Sequence, residues 1–317
     1  MVRPRLAAAS RVHTFPSVTQ HREPILYYHR AKGVIETEEV YGEGWLRWTY
    51  ESAPGRLALA LLVKRAVVSR YYGWRMSRPF SASQVLPFII KYDLDVDEFA
   101  KKPLSFKSFN DFFHRALKPG MRPVAPGERV AVLPADGRHL CFQDVDATAG
   151  FYAKGQKFDL AAFLGDAELA RQFAGGSMVI SRLCPVDYHR FHFPVDGTPG
   201  EPRLINGWLY SVSPVALRRN LGYLWQNKRM VTLIESPAFG RVAMVEIGAT
   251  MVGTIFQGFV PGRPVTKGAE KGYFKFGGSC VVTLYQQGRL TVDADLLRHS
   301  AEQREVFARV GERLGAG

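Results

Sequence analysis

Two hydrophobic rhythms divide this chain of 317 residues. In the first part the apolar positions come in helix-like runs. Residues 56–72 hold leucine, alanine and valine punctuated by Lys64, Arg65 and Arg70, with no glycine or proline before Gly73. That pattern predicts one helix over 56–72. Ser108 followed by Asp111 resembles a capping box, and Phe109, Phe112 and Phe113 supply an apolar face, so a second helix is expected over 108–117. Residues 118–127 are rich in proline and glycine and mark a boundary. Beyond residue 130 the runs shorten, at 131–133, 178–183, 231–234, 242–247, 251–259 and 281–285, with Gly248, Gly262 and Gly288 among the turn formers. Short runs with glycine-rich turns predict a mostly antiparallel sheet. A polar helix is expected to close the chain over 295–314. The fold class is therefore α+β: a helical, basic N-terminal part over 1–127 and a β-rich body over 128–317.

Charge sharpens that division. The chain carries 42 basic and 29 acidic side chains, formally +13, and residues 1–130 hold 21 of the basic and 12 of the acidic ones. A basic front half points to an anionic partner, a lipid surface or nucleic acid. No helix-turn-helix, zinc or RNA-binding aromatic signature accompanies it, so nucleic acid ranks low. A basic, leucine-rich helix over 56–72 suits a membrane interface, although its charges do not share one narrow face and a half-buried domain helix fits equally. No apolar stretch approaches the roughly 20 residues that cross a bilayer. Arg3, Arg5 and Arg11 precede any acid, without the apolar segment of a secretory signal, which weakly fits a transit peptide. Cys141, Cys184 and Cys280 are odd in number and form no CxxC pair, which argues against a disulfide framework or zinc cluster and for a reducing compartment.

Three segments interrupt structural sequence with reactive side chains. Pro134-Ala135-Asp136-Gly137 taken alone is a turn. Asp187-Tyr188-His189-Arg190-Phe191-His192-Phe193-Pro194 holds two histidines three apart, which face opposite sides of a regular strand, and no third metal ligand has suitable spacing. In the third segment Gly277-Gly278-Ser279-Cys280 leads into an apolar run. Gly278, lacking a Cβ, leaves its carbonyl open to close approach, and the Ser279 hydroxyl is the adjacent nucleophile. Serine needs a base to take its proton, and a histidine base is usually oriented by a carboxylate. Asp136, one of the two histidines and Ser279 supply that trio.

Together the three segments resemble the phosphatidylserine decarboxylase proenzyme family, whose members mature by cutting themselves before a serine. The similarity covers roughly residues 85–290 and includes Phe109-Asn110-Asp111-Phe112-Phe113, Leu117-Lys118-Pro119 and Gly248-Ala249-Thr250-Met251-Val252-Gly253. The resemblance implies that Asp136 orients His192, that His192 deprotonates Ser279, and that the cut falls between Gly278 and Ser279. A β chain (1–278) and an α chain of 39 residues (279–317) result. It further implies that Ser279 ends as a covalent pyruvoyl group, a ketone that forms an imine with the substrate amine and accepts the electrons left when CO2 departs. Neither pyridoxal phosphate nor a metal is then needed. His189, matching the family's other histidine, becomes the candidate general acid, an imidazole expected to titrate near neutral pH. One departure stands out, since Cys280 occupies a position usually held by serine or threonine.

The implied activity is a carboxy-lyase that converts phosphatidylserine to phosphatidylethanolamine in phospholipid biosynthesis. The implied partners are phosphatidylserine, an anionic membrane surface and, for the αβ unit, a second copy. The implied place is peripheral, on the cytoplasmic face of the cell membrane, with the mitochondrial inner membrane as a lesser alternative. Two rival classes remain: a pyruvoyl enzyme acting on a soluble amino acid, and a non-enzymatic basic protein that binds membrane or nucleic acid.

Overall fold

The computed structural model describes residues 24–40, 42–148, 158–250, 254–277 and 279–317. The arginine-rich start of the chain, part of the 251–259 run and Gly278 lie outside these residues. The chain is 30% helix and 29% strand, with mostly antiparallel sheets, as an α+β fold requires.

The described residues open with strands, not helices: β1 (Leu26–His29) and β2 (Val34–Thr37) form a hairpin. The sequence hid this because β1 pairs in parallel with a strand almost 280 positions away. Helices α1 (Glu43–Glu51), α2 (Ala53–Ala58), α3 (Ala66–Met76), α4 (Val85–Lys91) and α5 (Phe109–Phe113) follow. Two expected helices are corrected here. The one over 56–72 is broken, because Leu59–Val63 is π-helical and Arg65 is extended. The Lys64 carbonyl leaves the helical ladder to accept the Leu209 N–H at 3.1 Å, and the Lys64 and Arg65 cations lie over the Trp208 ring. The helix over 108–117 starts as expected, with Ser108 accepting the Asp111 N–H, but Asp111 returns its carboxylate to the Lys107 N–H and not to Ser108. It ends at Phe113, because residues 98–100 pair with 116–118 through Ala100 N–H to Ala116 and Lys118 N–H to Glu98.

The β-rich body contains β3 (Val130–Val132), β4 (Gly137–Phe142), β5 (Ser177–Leu183), β6 (Arg190–His192), β7 (Thr198–Pro199), β8 (Arg203–Ile205), β9 (Arg229–Ser236) and β10 (Gly240–Gly248). It continues with β11 (Ile255–Gln257), β12 (Glu270–Phe274), β13 (Ser279–Tyr285), β14 (Thr291–Val292), β15 (Glu305–Ala308) and β16 (Arg313–Ala316). The expected helix over 295–314 is a third correction. Only Ala294–Ala301 is helical, and the chain then turns at Gln303 (φ 57°) to donate β15 and β16.

The main sheet has ten strands in the order β2-β1-β15-β4-β5-β13-β10-β9-β7, with β8 also on β9. Three-stranded sheets β11-β12-β6 and β14-β16-β3 accompany it. At its centre β13 is buried along its whole length between β5 and β10. Val281 and Tyr285 face one apolar cluster, together with Phe191 and Phe274 of the smaller β11-β12-β6 sheet. Cys280, Val282 and Leu284 face the other, under Phe163, Phe173 and Leu217 of the covering helices. This period-two division is what a strand buried on both sides requires. Each large apolar side chain so buried contributes about 1.5–3 kcal/mol.

Candidate active site

Ser279 is the first residue of β13, paired with Gly248 on one side and Leu183 on the other. It is fully buried, and its Oγ has no hydrogen-bond partner among the described residues. A buried hydroxyl without a partner forfeits about 1–3 kcal/mol, which is tolerated where reactivity needs it. Cys280 points into the opposite cluster, where burial pushes its thiol well above its ordinary value. It is a neutral core residue in this arrangement.

The two histidines lie on the ribbon that leads to Ser279. The His189 carbonyl accepts the Phe274 N–H, whereas His192 stands in register with Glu270, so the residue that meets His189 lies closer in sequence to Ser279 than the one that meets His192. His189 Nδ1 donates to the Asp187 carbonyl at 3.0 Å, which leaves Nε2 as an acceptor without a partner among the described residues. The ring is fully buried against Phe113, with centroids 3.9 Å apart. Burial drives its pKa down to about 3, so it does not titrate near neutrality as expected. Burial also lowers the pKa of His192. Its Nδ1 lies 2.9 Å from the Gly268 carbonyl and its Nε2 lies 3.3 Å from the Tyr188 hydroxyl.

Asp136 does not hydrogen-bond His192. Its carboxylate takes a forked pair from Arg122 at 2.7–3.0 Å and the Val310 N–H at 2.9 Å. The backbones of the two segments nevertheless meet, since the His192 N–H donates to Pro134 at 2.8 Å, and the Asp136 charge favours a protonated His192. Gly137 is more than a turn residue, because a Cβ there would sit 2.4 Å from the Arg182 carbonyl oxygen.

A cavity of about 360 Å³ reaches the neighbours of Ser279, although Ser279 itself does not line it. Gly277 and Leu183 border it next to the serine, and Trp45, Leu46, Tyr72, Val212 and Phe276 give it apolar walls. Glu38, Arg182 and Cys184, with the hydroxyl residues Ser211, Ser213 and Thr250, form its polar part. All five Arg182 donors are committed: Nε to Glu305, Nη1 to Glu38 and Cys184, and Nη2 to Glu38 and Glu305. Burial opposes ionisation of Glu38, yet Arg182 and Arg138 hold its pKa at about 2. Arg138 also grips Asp187 at 2.8 Å, whose carbonyl orients His189. Sequence reasoning missed this network. Its one legible sign was Arg182, a lone cation inside an apolar run. Among the described residues no cluster of three or more His, Cys, Asp or Glu groups has the form of a metal site.

Comparison with known proteins agrees with this geometry. The family model for phosphatidylserine decarboxylase matches residues 109–316. Proteins named phosphatidylserine decarboxylase proenzyme are similar over most of the chain. One from Chlamydia muridarum is 46% identical, with 92% of this chain and 97% of the relative covered. One from Chlamydia trachomatis is 45% identical with the same coverage, and one from Fusobacterium nucleatum is 42% identical over 92% and 98%. The chain belongs to the phosphatidylserine decarboxylase family.

Proposed function

We propose that the chain cuts itself between Gly278 and Ser279 and then decarboxylates phosphatidylserine to phosphatidylethanolamine at a membrane surface. One observation carries the reading: the buried Ser279 hydroxyl, unpartnered among the described residues, at the head of the central strand, with a largely apolar cavity reaching its neighbours.

In the self-cleavage, Ser279 Oγ attacks the Gly278 carbonyl carbon. The peptide C–N bond breaks, and an ester joins the two residues. Loss of the Ser279 Cα proton then breaks the Cβ–Oγ bond and leaves a carboxylate on Gly278. Water replaces the nitrogen, and ammonia departs. His192 is assigned the Ser279 proton, as the resemblance implies: its Nδ1–H rests on Gly268, so its Nε2, which meets the Tyr188 hydroxyl at 3.3 Å, is the nitrogen that would exchange that contact for the serine proton. Asp136 favours the resulting cation through space. His189 is reserved for proton transfer at the substrate α-carbon, its Nε2 relaying a proton from water to the position that CO2 vacates.

The buried Ser279 position fits a pyruvoyl group, which supplies the electron sink when CO2 leaves. The cavity then treats the two ends of the substrate differently. With every Arg182 donor in use, the departing carboxylate would meet apolar side chains and neutral hydroxyls instead of a free guanidinium from that residue. A desolvated carboxylate is raised in energy relative to neutral CO2.

The cut chains would stay together without a covalent link. Residues 279–317 supply β13 between β5 and β10, β15 between β1 and β4, and β16 beside β3. Arg30 adds ion pairs to Asp293 and Asp295.

The membrane surface is assigned to α1–α4 and the segments joining them. Trp45, Trp48, Leu61, Val67, Tyr71 and Trp74 are all more than 40% exposed there, and Arg56, Arg70 and Arg75 stand exposed beside them. Aromatic rings at an interface and basic groups beside lipid phosphates suit peripheral docking, at about 1 kcal/mol per cation near an anionic surface. No helix among the described residues is long and apolar enough to cross a membrane. Trp45 also lines the cavity, so one side chain belongs both to the exposed aromatic surface and to the cavity wall. The test is decarboxylation of phosphatidylserine in vesicles against free serine. CO2 from the lipid alone supports the reading, and CO2 from free serine at an equal rate replaces it with a soluble amino-acid decarboxylase.

A further inference from the structure

We infer that Asn110 is a positioning residue for the self-cleavage: it fixes the segment that presents the Gly278–Ser279 bond. The inference rests on the self-processing reading above. Asn110 lies on α5 in the Phe109–Phe113 stretch, a motif that neither the histidines nor the cavity accounts for. It is 3% exposed, and its Oδ1 accepts the Phe276 N–H at 2.7 Å. Its Nδ2 donates to the Gly73 carbonyl at 3.1 Å and to Ser77 Oγ at 2.9 Å. Ser77 Oγ in turn donates to the Gly73 carbonyl at 2.8 Å. The end of α3 thereby orients the amide, since a flipped Asn110 would aim its NH2 at the Phe276 N–H.

The Phe276 ring is held by the same helices. Its centroid lies 4.9 Å from Phe113, 5.1 Å from Phe109 and 5.5 Å from Tyr72. Gly277 follows with φ 131°, a conformation that favours glycine, and Ser279 enters the ladder of β13. The scissile bond is thus spanned by two fixed points, the Asn110–Phe276 bond before it and the central strand after it. An attack on the preceding carbonyl depends on a near-attack geometry that tolerates little displacement. A segment loose on its amino side would have to be ordered before each productive approach.

The experiment is a time course of processing after cell-free synthesis of the full chain, read on a denaturing gel, with Ser279→Ala as the uncut standard. Asn110→Leu removes the acceptor at similar size and is expected to cut about ten-fold more slowly, the effect of one buried hydrogen bond acting on a barrier. Asn110→Asp keeps an acceptor for Phe276 and is expected to recover most of the rate. Hydroxylamine, which severs esters, should capture less cut product from Asn110→Leu than from the wild type. Where a melting scan shows Asn110→Leu unfolded, Ser77→Ala carries the test, because it loosens the amide without touching Phe276 and should cut measurably more slowly. A folded Asn110→Leu that cuts at the wild-type rate overturns the inference, and so does an unchanged rate for Ser77→Ala in its place. Equal slowing by Asn110→Leu and Asn110→Asp, in step with lost melting temperature, also overturns it by showing a general packing role. An uncut wild type or a cut Ser279→Ala overturns the self-processing reading itself.

Discussion

Replacing Arg182 with leucine in the uncut Ser279→Ala chain asks how much the charges beside the cavity contribute to stability. The Arg182, Glu38 and Glu305 side chains are 3%, 2% and 8% exposed, so solvent screens them little. Burial works against the Glu38 charge, yet Arg182 and Arg138 bring its pKa from 4.5 to about 2. A shift of that size is worth about 3 kcal/mol. Because the folded value lies below the unfolded one, this stabilisation is present above pH 4.5 and is lost as pH falls toward 2. Without Arg182, Glu38 depends on Arg138 at 3.5 Å, and breaking a buried pair costs about 3–5 kcal/mol. The sign of the pH dependence should then reverse. Carboxylates buried with less compensation rise in pKa, so the variant loses stability as pH climbs where its parent gains it. Urea unfolding of both chains from acid to neutral pH measures this. A variant within about 1 kcal/mol of its parent at neutral pH, or one following the same pH course, refutes the reasoning.

Further outcomes follow from the site and surface. His189→Ala should still be cut but should release no CO2, whereas His192→Ala and Asp136→Asn should remain uncut; the opposite pattern on a denaturing gel exchanges the two histidine roles. Trp45→Ser combined with Trp48→Ser and Tyr71→Ser should reduce sedimentation with phosphatidylserine-containing vesicles, and unchanged binding places the lipid surface elsewhere. Lys271→Met should destabilise the chain by about 3–5 kcal/mol in urea, because it strands Glu246, its fully buried partner at 2.8 Å. Adding Glu246→Leu should restore much of that loss.

The strands around the site were legible because each is a short apolar run bounded by turn formers. The reactive residues were legible because they interrupt such runs. What escaped was set by partners distant in sequence. Nothing local in residues 26–37 announces a parallel pairing with β15, and nothing local in 305–316 distinguishes two short strands from a continuing polar helix. The break in the helix over 56–72 depends on Leu209 and Trp208 drawing off the Lys64 backbone and side chain. The Arg122 side chain that occupies Asp136 comes from a segment that read only as a proline-rich boundary. The His189 pKa was misjudged for a related reason: residue type suggested titration near neutrality, but the depth of burial, which only the fold fixes, pushes it down.

Intact mass measurement of the native protein tests the central claim most directly. The account predicts two polypeptides, residues 1–278 and 279–317, the smaller beginning with a ketone in place of its amino group. One polypeptide of full length, with an unaltered serine at position 279, contradicts it.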